Sequence, residues 1–422
     1  MTEKIIIENF GGLKKLDFEL KSINILIGPQ ASGKSISVKL MYFFKNFISE
    51  IYKAIENNET KRELDSKQIE TFITYFPREA WPKGSFKIEY LINESWIKIE
   101  RKATKKLVFT YSDDFKRILT KGRKFFKDEQ KKVINEPRVS SYRISRNTRQ
   151  KFNECVINEI SETAIHNQFF VPAGRSFFAN VQTSIFSFLN NNKSLDPFLI
   201  EFGSFYENFK RFAFELRDEN STKNNKKFNK EFDKLINEIM NGSFKREKDK
   251  DYIIHNDSRK VNLVNASSGQ QETLPLVLVL KVLSNFASGN KGATLYIEEP
   301  EAHLFPTAQK KIIQLLARTF NSQNEKFQII VTTHSPYILS SFNNLLEAGK
   351  IVRDKPNDKK KVNEIVPEYE TLDPNDLIAY SVFNGQKKIL LDDETNLISQ
   401  NILDSVSDDL AIDFGKLLDI EF

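Results

Sequence analysis

The segment "ILIGPQASGKSISVKL", residues 25–40, limits the fold more than any other part of this 422-residue chain. Apolar residues 23–27 run straight into Gly28, and Ser37, Leu40, Met41, Phe44, Phe47 and Ile48 then recur at helical spacing. A buried strand therefore feeds a helix through a glycine-bounded turn, which predicts an α/β chain. The turn spells G-x-x-x-x-G-K-[ST] with Gly28, Pro29, Gln30, Ala31, Ser32, Gly33, Lys34 and Ser35, and Ile36 follows in the helix. In such a loop the glycines let backbone N–H groups turn inward on phosphate oxygens, and the helix N-terminus adds partial positive charge. Lys34 is placed to reach the β and γ phosphates, and the Ser35 hydroxyl to ligate Mg²⁺. Residues 28–36 are the candidate nucleotide-binding residues.

Phosphate binding alone specifies no reaction, but three later stretches supply the rest of a hydrolytic site. "ATLYIEEPEAHLFP", residues 293–306, reads as a buried strand ending in two carboxylates before a proline. Glu298 is the candidate for the Mg²⁺ shell, its longer arm favouring a water-mediated contact, and Glu299 the candidate catalytic group that polarises the attacking water. "FQIIVTTHSPYIL" gives another buried strand that delivers Thr332, Thr333 and His334 to its C-terminal end, where open α/β sheets collect ligands. His334 is then a candidate γ-phosphate contact. In "NASSGQQETLPLVLVLKVL", Ser267, Ser268, Gly269 and Gln270 form a polar turn at the N-terminus of an apolar helix. That turn is both an anion site and a helix cap, with Glu272 a candidate partner of Gly269 or Ser268 in a capping box.

Composition bounds the remainder. One cysteine, Cys155, excludes an internal disulfide framework and a cysteine-based zinc site, and suits a reducing cytosol. No apolar run approaches a membrane span, and the N-terminus lacks the pattern of a signal or transit peptide, so a cytoplasmic location without membrane partners is expected. The net charge of +6 is modest but segregated. Residues 101–151 carry 17 Lys/Arg against 5 Asp/Glu, whereas the stretch from Asp392 onward carries nine acids and one lysine. The basic run can hold nucleic acid or an acidic partner.

Along the chain, residues 1–50 read as strand, Gly11–Gly12 turn, strand, strand, phosphate loop and helix. Residues 51–164 read as an insertion with a hairpin turned at Asn93–Glu94 and basic helices, and 165–390 as the return to the nucleotide-binding head. Within that return, about 177–260 forms a helical subdomain, its polar tract 217–234 expected as an exposed loop or mobile helix end. Residues 391–422 are expected as an acidic helical tail.

Taken in order, GPQASGKS, SSGQQE, LYIEEPEAHLFP and TTHSP resemble the Walker A loop, signature motif, Walker B strand and switch histidine of ABC-type ATPase heads. "EEPEAHLFP", "THSPYIL" and the N-terminal "IENFGGLKKLDFEL" are similar to the OLD-type branch, related to the SMC and recombination-repair ATPases. The resemblance implies a mixed β lobe plus a parallel core sheet, with ATP and Mg²⁺ as cofactors. It also implies a composite site in which two copies meet head to tail. Ser267, Ser268, Gly269 and Gln270 would act in trans on the nucleotide held by Lys34, Ser35, Glu298, Glu299 and His334. The expected glutamine loop is not evident, and "FFVPAGRSF", with Arg175, occupies its place.

OLD-type nucleases add a TOPRIM domain after the head, and the residues following His334 are too few for one. Stand-alone heads of this kind look like the ATPase subunits of bacterial anti-phage systems such as the PARIS and Septu types. The resemblance implies an ATP-dependent sensor and scaffold holding a separate toxic effector, released by a phage-encoded trigger. The alternative is a DNA-binding SMC-like repair ATPase gripping duplex backbone with residues 101–151.

Overall fold

The computed structural model describes residues 2–102, 106–135, 141–180, 195–215, 223–248, 250–285, 291–322, 326–399 and 412–417. Its strands are β1 (Glu3–Phe10), β2 (Leu13–Glu19), β3 (Ile23–Ile27), β4 (Phe86–Ile92), β5 (Ser95–Arg101), β6 (Leu107–Tyr111) and β7 (Asn167–Val171) in the first part of the chain. They continue as β8 (Ser243–Glu247), β9 (Lys250–Ile254), β10 (Lys260–Asn262), β11 (Ala293–Glu298), β12 (Phe327–Thr333), β13 (Leu377–Phe383) and β14 (Gln386–Ile389). The expected mixed α/β architecture is present.

The core sheet has the order β14-β13-β3-β12-β11-β7. Neighbours from β13 to β7 are parallel, and only β14 runs antiparallel. Every residue of β3, β11 and β12 is buried, as a parallel strand covered on both faces requires. Side-chain alternation then divides the interior in two. Ile23, Ile25, Ile27, Leu295, Ile297, Ile329 and Val331 face one hydrophobic cluster together with the helix Ser268–Asn285. Leu26, Tyr296, Ile330 and Tyr380 face the other, with the helix Lys34–Lys45 and the second sheet. The run "LPLVLVLKVL" is buried except at Lys281; among the described residues no helix is long and apolar enough to cross a membrane.

The second sheet is antiparallel, ordered β2-β1-β4-β5-β6. Its hairpins turn where expected: Phe10 pairs Leu13 across Gly11 and Gly12, both at positive φ, and Ile92 pairs Ser95 across Asn93 and Glu94. The β4–β5 hairpin, expected within an insertion, pairs in register with β1, from Glu3 opposite Ile92 to Glu8 opposite Lys87. One sheet therefore crosses the expected boundary at residue 50. Alternating apolar residues of β1 and β4 share one buried face, and nothing in the local spacing announces which distant strand will complete it.

Two further expectations need correction. In the polar tract 217–234, residues from Lys223 onward belong to the helix Lys223–Met240, because Phe232, Leu235, Ile236 and Ile239 bury on one side of it; 216–222 lie outside the described residues. The proposed helical tail begins instead as a turn. Asp392 accepts from the backbone N–H of Glu394 and Thr395, and Ile398 is buried. Beyond it only Ile412–Lys416 and Leu417 are described, as a short helical segment.

Candidate active site

The parallel register brings the ends of β3, β12, β11 and β7 side by side, so that the loops after these four strands share one edge of the sheet. The loop after β3 is shaped by its glycines. A Cβ on Gly28 would lie 2.1 Å from the Val382 carbonyl oxygen of β13. Gly33 has φ 98, and its Cβ would meet Leu13 at 2.4 Å. Lys34 begins the helix Lys34–Lys45 and is buried, its ammonium donating to the carbonyl oxygens of Gly28 and Pro29 at 2.7 Å each. Burial lowers its pKa, while the charges of Glu299 and Glu301 act the other way. The first turn of the helix has no capping side chain and no acid, so its N–H groups and positive dipole end remain open to an anion. Pro29, Gln30, Ala31 and Ser35 are exposed and Ser32 half-buried. Ile36 differs from the rest of the expected set, since its side chain packs beside Gly11 in the β1–β2 turn.

At the end of β11 the two carboxylates part. Glu298 is 5% exposed; Oε2 accepts from the Ala173 N–H at 3.3 Å, and Oε1 is buried with no partner among the described residues. Glu299 is half-buried with φ 44, a left-handed conformation of the kind that collects at functional sites. Its N–H donates to the Thr332 carbonyl at 2.9 Å, and its Oε1 lies 3.0 Å from Nε2 of His334, which follows β12.

A third carboxylate, absent from the sequence reading, completes the group. Glu301 Oε1 accepts from the Thr333 hydroxyl and from the His334 N–H, each at 2.7 Å, while Oε2 is buried and unpartnered. The signal was available as the third acid of "EEPEAH", one turn past the strand end. A buried carboxylate oxygen without a partner costs about 1–3 kcal/mol or more, so the edge is incomplete until a donor or cation arrives. Mg²⁺ fits the donor set here. It takes one or two carboxylates plus phosphate oxygens and waters rather than an all-protein cage, and no cluster of three His, Cys, Asp or Glu side chains suited to a metal occurs among the described residues. Ser35 and Glu298 could hold it beside a bound triphosphate.

Arg175, beyond β7, is fully buried. Its guanidinium donates to the carbonyl oxygens of Pro172, Glu272, Glu298 and Glu299, at 2.7 to 3.0 Å. Glu272 returns the contact, accepting from the N–H groups of Arg175 and Ser176 at 2.9 and 2.7 Å. This overturns the expected capping box with Gly269 or Ser268. The cap is one residue pair earlier: Ser267 Oγ accepts from the Gln270 N–H, and Gln270 Oε1 accepts from the Ser267 N–H. Gln270 also donates to the Met240 carbonyl at 2.7 Å. Ser267 and Ser268 are exposed, and Gly269 packs so closely on the 301–305 turn that a Cβ would sit 2.7 Å from the His303 carbonyl oxygen. No hydrogen bond joins residues 267–270 to the loop 28–35 among the described residues.

The profile of the AAA ATPase domain family matches residues 1–339. No curated protein sequence matches the chain. Among solved structures, the chain is similar to the SMC head domain from Thermotoga maritima, at 13% identity over 92% of this chain and 97% of that one, with a TM-score of 0.35. It is also similar to the Smc head domain with an extended coiled coil bound to the C-terminal domain of ScpA from Pyrococcus furiosus (12% identity, 97% and 99% covered, TM-score 0.39). A third likeness is to the recombination mediator protein RecF (14% identity, 92% and 98% covered, TM-score 0.30). Because the family match spans the phosphate loop, both strand-end carboxylates and His334, this chain belongs to the AAA ATPase domain family and is an ATPase.

Proposed function

We propose that the ATPase site is composite, closed by a second copy of the chain. The observation that supports this reading most directly is the exposed Ser267–Ser268 turn, which makes no hydrogen bond to its own phosphate loop yet is held rigidly by its reciprocal cap and by Gly269 on the His303 backbone. In the composite site Lys34 leaves the Gly28 and Pro29 carbonyls for the phosphates, and Ser35 and Glu298 hold the cation. Mg²⁺, when bound, neutralises charge on the phosphate oxygens. Glu299 accepts a proton from the attacking water, His334 orients Glu299 and meets the γ-phosphate, and the serines of the second copy complete the wall in trans.

Mixing tests this reading. A Lys34→Ala chain and a Ser267→Ala/Ser268→Arg chain should each be inactive. Their mixture should recover about a quarter of wild-type turnover, since half of random dimers are mixed and each mixed dimer keeps one intact site. A mixture no more active than its parts would remove the composite site.

The finer role we infer is that of an ATP-driven scaffold in the bacterial cytoplasm, holding a separate toxic effector until a phage-encoded trigger releases it. Support comes from the motifs of the head itself, which resemble those of stand-alone ATPase subunits of anti-phage systems. Co-purification with the product of a neighbouring gene, with and without ATP, checks it; no ATP-dependent association would count against it. A DNA-binding role is the second reading. Several cations of residues 101–151 are already paired: Lys116 with Asp113, Arg117 and Lys121 with Glu159, Lys132 and Lys151 with Glu129. Lys124, Lys127, Arg143 and Arg146 are exposed with no ion pair among the described residues, and these favour a backbone-tracking surface. Turnover that duplex DNA fails to stimulate at low salt would exclude it.

A further inference from the structure

A recess of about 210 Å³ opens at the opposite end of the core sheet, where β7 and β11 begin. Lys291 precedes β11 and lines it half-buried, and Arg149, on the helix Ser141–Glu159, stands at its rim with the guanidinium 4.8 Å from the centre of the Tyr52 ring. Neither cation makes an ion pair or a hydrogen bond among the described residues. They are close enough to repel, and burial together with Arg149 pushes the Lys291 ammonium down to about 8. Of the other charges in the walls, the two lysines are paired, whereas Glu201 keeps its negative charge and meets only neutral hydroxyl groups among the described residues. Lys45 pairs with the buried Glu3 and Lys53 with Glu50. Glu201 accepts from the hydroxyl groups of Tyr42 and Tyr75.

Lys291 is half-buried and Arg149 exposed at the rim, so the charged form of Lys291 is disfavoured by burial and by its neighbour until an anion joins them. The hollow also presents neutral donors, with Asn46, Ser49 and Asn153 in its walls. We propose that this recess is a second anion site, distinct from the ATP loop, which takes the phosphate group of a small phosphorylated molecule between Lys291 and Arg149. A phosphate monoester carries nearly two negative charges at neutral pH, matching the two free cations. The concave shape and the small number of free cations fit a small ligand better than a duplex, which engages many cations along a surface. The recess lies at the far end of β11 from the acids that follow it, and β11 (Ala293–Glu298) alone spans roughly 17 Å.

Competitive acetylation at pH 8, read peptide by peptide by mass spectrometry, tests the site in the Lys34→Ala chain, where the ATP loop is silenced. Lys291 should acetylate faster than the exposed Lys124. Inorganic phosphate, pyrophosphate or AMP, in separate arms, should slow Lys291 about fivefold or more at millimolar ligand while leaving Lys124 unchanged. The three arms separate a bare phosphate site from one that also reads an attached group. Arg149→Ala, which removes the rim cation along with its contact to the Tyr52 ring, should abolish the protection, and an unchanged urea midpoint would show that the fold is kept. Absence of protection in all three arms, or equal protection in Arg149→Ala, would overturn the proposal. Protection by short duplex DNA but by none of the small anions would overturn it in favour of nucleic acid.

Discussion

Nε2 of His334 lies 3.0 Å from Oε1 of Glu299, joining the residue after β12 to the end of β11. The parallel register that sets Glu298 beside Thr332 creates this contact, and the left-handed backbone of Glu299 turns its carboxylate away from the buried Glu298. If Glu299 is the base, as proposed, a carboxylate held this way would accept a proton without first reorganising. Glu299→Gln keeps the contact but loses basicity, so turnover should fall by about 100-fold or more with ATP binding retained. Steady-state hydrolysis and nucleotide-bound gel filtration read the two effects separately. Near-normal turnover would assign the base elsewhere.

Glu301 acts through His334. Removing its carboxylate in Glu301→Ala leaves the Thr333 hydroxyl and the His334 N–H without their acceptor, so His334 loses its fixed position. We expect kcat to drop about tenfold with KM little changed. Glu301→Gln, whose amide oxygen accepts the same two bonds, should recover most of the loss. An alanine variant with an unaltered kcat would show that His334 needs no such support.

Arg175 ties the loop after β7 and the end of β11 to the helix Ser268–Asn285, and its removal should loosen all three. Arg175→Met leaves Glu272 as a buried carboxylate without its counter-ion and takes the guanidinium donor from four carbonyls, a loss of about 3–5 kcal/mol. Arg175→Lys should rescue little, because one ammonium cannot span the fork. Urea unfolding midpoints measure both. A methionine variant within about 1 kcal/mol of wild type would contradict this reading.

His166, buried between the N-terminal ends of the core strands, adds a pH dependence. Burial pushes its pKa from the ordinary 6.5 down to about 4, with the Lys45 charge acting the same way. Between these values the unfolded chain takes up a proton that the folded chain refuses. Stability should therefore fall as pH drops from 6.5 to 4, by up to about 3 kcal/mol. His166→Gln should flatten the curve across that window in chemical unfolding at several pH values. Identical wild-type and variant slopes would mean that His166 titrates normally.

Much of this was readable from residues near one another in the chain. The loop 28–35 lies between a wholly apolar strand and an amphipathic helix, and the turns at Gly11–Gly12 and Asn93–Glu94 carry residues that accept positive φ, so spacing and turn chemistry suffice. The double acid at the end of β11 and the histidine after β12 were legible for the same reason. The cap on the helix Ser268–Asn285 was less so, because the spacing pointed to Glu272 with Gly269 or Ser268, whereas Ser267 and Gln270 form it. Glu272, the presumed partner, was claimed by the Arg175 and Ser176 backbone almost a hundred residues away in sequence.

The chain on its own determined the local pieces: which runs are buried strands, where they turn, and which polar groups stand at their ends. Tertiary structure alone decided that β4 completes the β1 sheet, that Arg175 is a buried tie, that Glu301 holds His334, and that Glu129 and Glu159 pair with four cations of the basic run. The physical reason is common to all four. Hydrophobic period and turn preference act over a few residues and leave their mark in order along the chain. Pairing register, burial of a guanidinium and the meeting of opposite charges depend on which surfaces come together after collapse, and linear spacing does not encode that choice.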